Sequence, residues 1–339
     1  MKDKSSGVLS MDVLEKKEGV EFLRICMMLL IVFLHISGRF PADNSNTLTY
    51  SLYHFFRSFA FVGVSGFAFI SGYFGVKWKL SKFIRMEFVA ITMGLLLICC
   101  KLAVFSEFCI RDLFCALTPI MSGDCWYFSA YMILMLLAPF LNNESVFKNS
   151  RLLKVIVLLL SIIIYIGGFL YKHDGTTIVY LIMVYLLGRY FFFYPIEFVK
   201  KNAYLIGGGA MLINGIIALL SAYGYMSDNA FSRFCNNHNP LLIVAAISLF
   251  FVAFKVKTTI HYSRLSKYML SVYLAHGIAL HLNLIPLNGL QTFPFFARIW
   301  TYVVVVFCAS IMCEIVRNKI FSFLEENIMK IICERENKY

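Results

Sequence analysis

Long apolar runs separated by short polar segments recur along the whole chain. They lie near residues 22–38, 52–76, 86–105, 125–141, 153–170, 176–194, 203–225, 240–254, 268–286 and 295–316. A helix needs about 20 apolar residues to cross the hydrocarbon of a bilayer. Helices also satisfy their own backbone polar groups where no water is present. The pattern therefore predicts an all-α, polytopic membrane bundle of about ten transmembrane helices, with both termini on one side. A single integral membrane domain is expected over 1–339, with a polar lead at 1–21 and a tail at 317–339. In the tail Ile320, Phe321, Leu324, Ile328 and Ile331 recur at helical steps among charges, which suits a helix lying on a membrane surface. The first apolar run follows the polar lead and is long enough to stay in the bilayer, so it is expected to be the first helix rather than a cleaved signal.

The charges between the runs set the orientation. Of 31 Lys and Arg residues, 23 fall in one set of alternate segments, which includes Lys16, Lys17, Lys77, Lys79, Lys82, Arg85, Lys255, Lys257 and Arg317. The opposite set holds Arg39, Arg57, Lys101, Arg111, Lys172, Arg233 and Arg298, and Arg189 lies near a span end. Basic residues concentrate on the cytoplasmic side, so both termini are expected there. The net charge of +12 thus follows the loops and meets anionic membrane lipid; it is not a nucleic-acid signal.

Composition agrees with the pattern. The chain is 60% hydrophobic, 17% aromatic and only 15% charged, with a mean hydropathy of +0.75, unlike an ordinary soluble domain. Ten cysteines show no regular spacing and no CxxC, and several sit in apolar runs as small hydrophobes. No His, Cys and carboxylate group has zinc spacing, so no metal centre is expected. The seven prolines fall in loops or near span ends, which predicts mostly unbroken rods rather than the interrupted helices of many transporters.

Two ionisable residues share the first apolar run. Arg24 and His35 are eleven residues apart with no other charge between them. Eleven residues make three turns plus about 20°, so both side chains lie on one helix face, about 16 Å apart along the axis. Charged groups inside a membrane helix are costly and usually face the bundle interior, which marks the pair as a candidate site. Arg24 could also snorkel to headgroups or pair with Glu21 one turn earlier, and His35 could be a helix-end residue. In the second run Gly63, Ser65, Gly66, Ser71 and Gly72 put small residues on a helix face, which favours close helix packing. Immediately after it, Lys77, Lys79, Lys82 and Arg85 surround Trp78, a pattern suited to lipid anchoring or to a phosphate.

These residues resemble the acyltransferase-3 family of integral membrane acyltransferases. Glu21, Phe22, Leu23 and Arg24 followed by ten residues and His35 are similar to that family's first helix. Ser71, Gly72 and Tyr73 followed by Lys82, Phe83, Ile84 and Arg85 are similar to its Ser-Gly-aromatic segment and basic R-x-x-R, with Lys where the family usually has Arg. Trp126, Tyr127 and Phe128 leading to Pro139 resemble its fourth-span segment, and the stretch from Leu265 to His276 resembles a late span ending in His. The resemblance implies transfer of an acetyl or other short acyl group from acyl-coenzyme A to a hydroxyl of a cell-surface carbohydrate or its lipid-linked precursor, at an inner membrane. Acyl-coenzyme A is then a donor substrate, and no bound cofactor is expected.

The chemistry of such a transfer needs few groups. A sugar hydroxyl keeps its proton at neutral pH, so its attack on a thioester requires a positioned base, and His35 is the candidate. Arg24, Lys82 and Arg85 are candidate contacts for the donor's phosphates, with Arg85 favoured because Lys82 lacks the planar fork. Glu21, Ser71, Tyr73, Trp126 and His276 are candidate cavity or acceptor residues. Trp126 equally suits an interfacial belt, and His276 suits an ordinary interhelical hydrogen bond. The transient oxyanion could be met by Ser65, Ser71, Tyr73 or a backbone amide. Two other classes also need many spans: an exporter or flippase of a glycan or lipid, and a lipid-linked glycosyltransferase. The scattered positions of Asp112, Asp124 and Glu197 speak against the second.

Overall fold

The computed structural model describes residues 18–40, 47–143, 147, 149–171, 177–224, 236–285 and 293–336. The described residues form helices and connecting turns, with no strand among them. In chain order the helices are α1 (Glu18–Ser37), α2 (Thr47–Ala60), α3 (Val62–Phe74), α4 (Leu80–Phe105), α5 (Ile110–Leu117), α6 (Pro119–Ser122), α7 (Trp126–Leu141), α8 (Ser150–Tyr171), α9 (Ile178–Phe193), α10 (Glu197–Lys201), α11 (Ala203–Ala222), α12 (Pro240–Lys255), α13 (Ser263–Ser266), α14 (Met269–His281) and α15 (Phe295–Glu336).

By length and composition, five helical runs can cross a membrane: Glu18–Ser37, Leu48–Phe74, Leu80–Phe105, Ala203–Ala222 and Phe295–Glu336. Shorter apolar helices occupy 126–141, 178–193, 240–255 and 269–281. Every apolar run of the sequence holds a helix. The outward face is apolar as well: Val155, Leu158, Leu159, Ile162, Ile163 and Ile166 of α8 are all exposed. Such a continuous apolar surface belongs against lipid rather than water.

Local chemistry explains the boundaries. Pro119 and Pro240 open α6 and α12, where their missing N–H is not needed. The Asn239 side chain accepts from Leu241 N at 2.9 Å, and the Thr177 hydroxyl accepts from Tyr180 N at 3.3 Å, capping α12 and α9. Gly75 ends α3 at φ +76°, a conformation that favours glycine. Phe61 keeps near-helical dihedrals between α2 and α3, so the second run is one rod with a local interruption.

The small residues of α3 do what close packing requires. A Cβ on Gly72 would lie 2.1 Å from Tyr185 O of α9, and one on Gly63 would lie 2.8 Å from Met27 O of α1. Backbones can approach this closely only without side chains between them. Helix α3 is thereby wedged between α1 and α9.

The expected boundary at residue 317 is not a helix end. α15 runs unbroken for 42 residues, about 63 Å at the standard rise and well beyond the hydrocarbon thickness. Arg317 is buried there. It makes paired bonds to Glu314 at 2.7 and 2.8 Å, bonds Glu325 at 3.3 Å, and donates to Thr92 of α4 at 3.2 Å. This network docks the C-terminal half of α15 on α4.

Candidate functional site

His35 lies in the last turn of α1 and His276 in the middle of α14, and their rings meet. His35 Nδ1 is 2.8 Å from His276 Nε2, with the rings stacked at 5.1 Å and 25°. His276 is fully buried, and its Nδ1 lies 2.7 Å from the carbonyl of Val272, one turn earlier in α14. That carbonyl only accepts, so Nδ1 of His276 carries a hydrogen and, in the neutral ring, Nε2 is a bare acceptor. His35 must then donate through Nδ1. Its Nε2 is left without a hydrogen, as a base requires. The assignment follows from the hydrogen-bond network rather than from observed hydrogens.

Two tethers hold this contact in register. At the start of α1, Glu18 accepts from Ser263 N at 2.9 Å and from its hydroxyl at 2.8 Å, and Glu21 accepts from the Ser266 hydroxyl. The segment leading into α14 is thus bound to the start of α1, while the histidines join the two helices further along.

Arg24 is on the same helix as His35, three turns away. Its Nη1 donates to Glu21 Oε1 at 2.8 Å, and its side chain remains about one-third exposed. Glu21 is buried and shared between Arg24 and Ser266. The pairing with Glu21 fixes the guanidinium and leaves its other nitrogens for a ligand. Lys82 lies close enough to Arg24 for their charges to act on each other. Two cations sharing a locality suit an anion. Arg85 is placed differently: its Nε bonds Glu325 of α15 at 3.1 Å while more than half of its side chain stays exposed.

A file of aromatic rings runs inside the bundle between the two ends of α1. Tyr131 of α7 interacts with Arg24 and with the Ser71 side chain. Tyr127 stacks near Tyr131 at 6.4 Å, Tyr273 meets Tyr127 at 5.9 Å, and His276 meets Tyr273 at 5.7 Å. Tyr127 N also donates to the Tyr273 hydroxyl at 3.2 Å. Trp126 heads α7 beside Tyr127, at 5.7 Å between rings, and so adjoins this file from its edge.

The other sequence candidates lie elsewhere. Tyr73 is buried in an aromatic cluster with Phe192, Phe250 and Phe254, away from the histidines. Ser65 is fully buried and shares a 2.6 Å hydrogen bond with Tyr180. Arg189, near the end of α9, is buried among Phe147, Phe192 and Phe193 and lies against the Gly72 carbonyl at 3.5 Å. A pocket opens between α4, α5, α6 and α14, lined by Asp112, Asp124, Leu274, Ile278 and His281. It lies across α14 from the histidine pair, because the residues flanking His276 face it and His276 does not. No metal-binding group is found among the described residues.

Sequence reasoning did not mark Tyr131, Tyr273 or Arg57 as site candidates, and it named Tyr127 only as part of the segment after Trp126. Arg57, in α2, acts electrostatically on His35. It is an ionisable residue within an apolar run, the same signal that picks out Arg24. The tyrosines carry no such signal in a chain with 19 of them.

A family model described as an acyltransferase domain matches residues 17–315. No curated protein and no solved structure matches the chain.

Proposed function

The chain belongs to the acyltransferase-3 family, and from that membership we propose that it moves an acetyl or other short acyl group from acyl-coenzyme A to a hydroxyl of a cell-surface carbohydrate or its lipid-linked precursor. The observation that carries the reading is the hydrogen-bond chain from Val272 O through His276 to His35, which leaves the outermost nitrogen bare.

In this reading His35 Nε2 takes the proton of the acceptor hydroxyl as its oxygen attacks the thioester carbonyl. The carbon–sulfur bond then breaks as the tetrahedral intermediate collapses. The coenzyme A thiolate leaves and recovers the proton from Nε2, so the products are an ester, free thiol and the starting imidazole. His276 is a positioning residue, fixing the ring and its tautomer. Arg24, held by Glu21, and Lys82 receive phosphates of the donor, and the tyrosine file accompanies its thiol arm toward His35. Arg85 is a weaker candidate because Glu325 already engages its guanidinium.

The bias of basic residues supports an inner-membrane protein with about ten spans and both termini in the cytoplasm. Donor phosphates then dock near the cytoplasm, and acyl transfer occurs further toward the outer side. The test is thiol release from acetyl-coenzyme A by the purified protein in detergent, combined with mass spectrometry of surface glycans from cells with and without the gene. Wild type is expected to add an acyl mass to a glycan and His35→Ala to add none. Glycans identical with and without the protein, together with no thiol release, would exclude the reading.

A further inference from the structure

Several cations of this chain have carboxylate partners, and others, Lys82 and Arg189 among them, have none among the described residues. Arg24, Arg317 and Lys200 have carboxylate partners at 2.7 to 2.9 Å, Arg85 has one at 3.1 Å, and Lys101 pairs with Asp112 at 2.9 Å. Arg39, Arg57 and Arg298 have none among the described residues. All three gather at one place, the end of α1 that bears His35.

Their placement is specific. The Arg57 Nη1 donates to the Tyr53 hydroxyl at 3.0 Å, and Tyr53 in turn donates to the Ser37 carbonyl at 3.0 Å. Its Nη2 lies over Gly38, where a Cβ would come within 3.2 Å of it. Arg298 stacks over Phe40 at 4.9 Å. Arg39 is exposed between them in sequence, and the charges of Arg57 and Arg39 reach His35. The Nε atoms of both Arg57 and Arg298 are sealed from solvent without a hydrogen-bond partner. A buried donor left unpaired is costly, and like charges within a Debye length repel.

The charge bias sharpens the point. Only seven basic residues fall in the set of segments opposite the termini, and three of them converge here. Of the other two that are described, Lys101 pairs with Asp112, and Arg111 lies near Asp124 through Cys115. Among the described residues, Asp112 and Asp124 are engaged around α5, and no carboxylate partner is found for the guanidinium groups beside His35. Planar guanidinium forks match carboxylates and phosphates in pairs of hydrogen bonds.

We propose that Arg39, Arg57 and Arg298 bind an oxyanion carried by the acceptor, so that the substrate class is an anionic carbohydrate. The oxyanion is either a sugar carboxylate or the phosphate that joins a glycan to its lipid. This inference rests on the acyltransferase reading for its acceptor, but its test does not use the reaction. The anion holds the acceptor so that a neighbouring hydroxyl meets Nε2 of His35.

Calorimetric binding to the purified full chain in detergent, with coenzyme A saturating the Arg24 and Lys82 end, tests it. The probes are inorganic diphosphate, methyl glucuronide and uncharged methyl glucoside. Wild type is expected to bind a charged probe more tightly than the glucoside. Arg57→Gln and Arg298→Gln should each weaken that binding about tenfold to a hundredfold, the range for a lost charged hydrogen bond. Arg57→Lys and Arg298→Lys keep the charge and should lose less, which provides the readout if a Gln variant does not fold. Preference for diphosphate identifies a phosphate-linked acceptor, and preference for the glucuronide an acidic sugar. No binding of either charged probe by wild type, or equal binding by all four variants, overturns the proposal. Failure of the acyltransferase reading would instead appear as absent thiol release, whatever the binding result.

Discussion

His276→Phe removes the acceptor on which the state of His35 depends while keeping a flat ring in a fully buried position. The lost bond is 2.8 Å long and joins His35 Nδ1 to His276 Nε2. An orphaned buried donor costs about 1 to 3 kcal/mol. In the variant His35 can escape that cost by rotating or by moving its hydrogen to Nε2, and either change removes the base from its working form. If about 1.5 to 3 kcal/mol of positioning is lost in the transition state, kcat falls about tenfold to a hundredfold. Arg24 lies three turns away and is untouched, so KM for acetyl-coenzyme A should hold. His276→Gln can place an amide oxygen near the former Nε2 and should recover much of the rate. Steady-state thiol release by both variants, after size-exclusion chromatography confirms that they are folded, separates positioning from mere packing. A folded His276→Phe protein with wild-type kcat would refute the reasoning.

Two further outcomes follow from other contacts. Arg24→Lys keeps a charge near Lys82 but loses the fork that can bond Glu21 and a phosphate together; KM for acetyl-coenzyme A should rise about tenfold with a smaller change in kcat, and unchanged kinetics would remove the special role of the guanidinium. Gly72→Ala would put a Cβ 2.1 Å from Tyr185 O and 2.8 Å from Tyr185 C, both backbone atoms, so thermal melting in detergent should show a loss of about 1 to 3 kcal/mol, whereas Gly208→Ala, which meets nothing within 4 Å, should melt no earlier than wild type.

Much of the fold is legible because apolar runs announce helices directly, and each predicted run does contain one. What the runs do not encode is continuity. Residue 317 reads as the start of a separate polar tail, yet Arg317 is satisfied by Glu314 and Glu325 on its own helix, so α15 continues through it. The step between Arg24 and His35 is legible for a similar reason: helix geometry alone puts both on one face. The partner of His35 is not, because a contact across 241 positions leaves no local periodicity. His276 appears in the sequence only as a lone histidine in a late apolar run. Its role emerges once the two serines of α13 bring α14 against α1. Tyr73 shows the opposite case, a member of a motif whose ring serves the aromatic core.

The union of α1 with α14 also has a timetable. One histidine is made near the start of translation and the other 241 residues later, an interval on the order of 10 to 50 s at ordinary elongation rates. Throughout that interval the nascent first helix carries an imidazole without its companion and acidic groups without their serine donors. A shortened polypeptide released before α14 would enter the bilayer with Arg24 and Lys82 but without Arg298 and without the histidine that positions the proposed base. On the proposed mechanism, catalytic maturity waits on the arrival of nearly the last membrane segment, and the order of synthesis itself delays activity until assembly is almost complete.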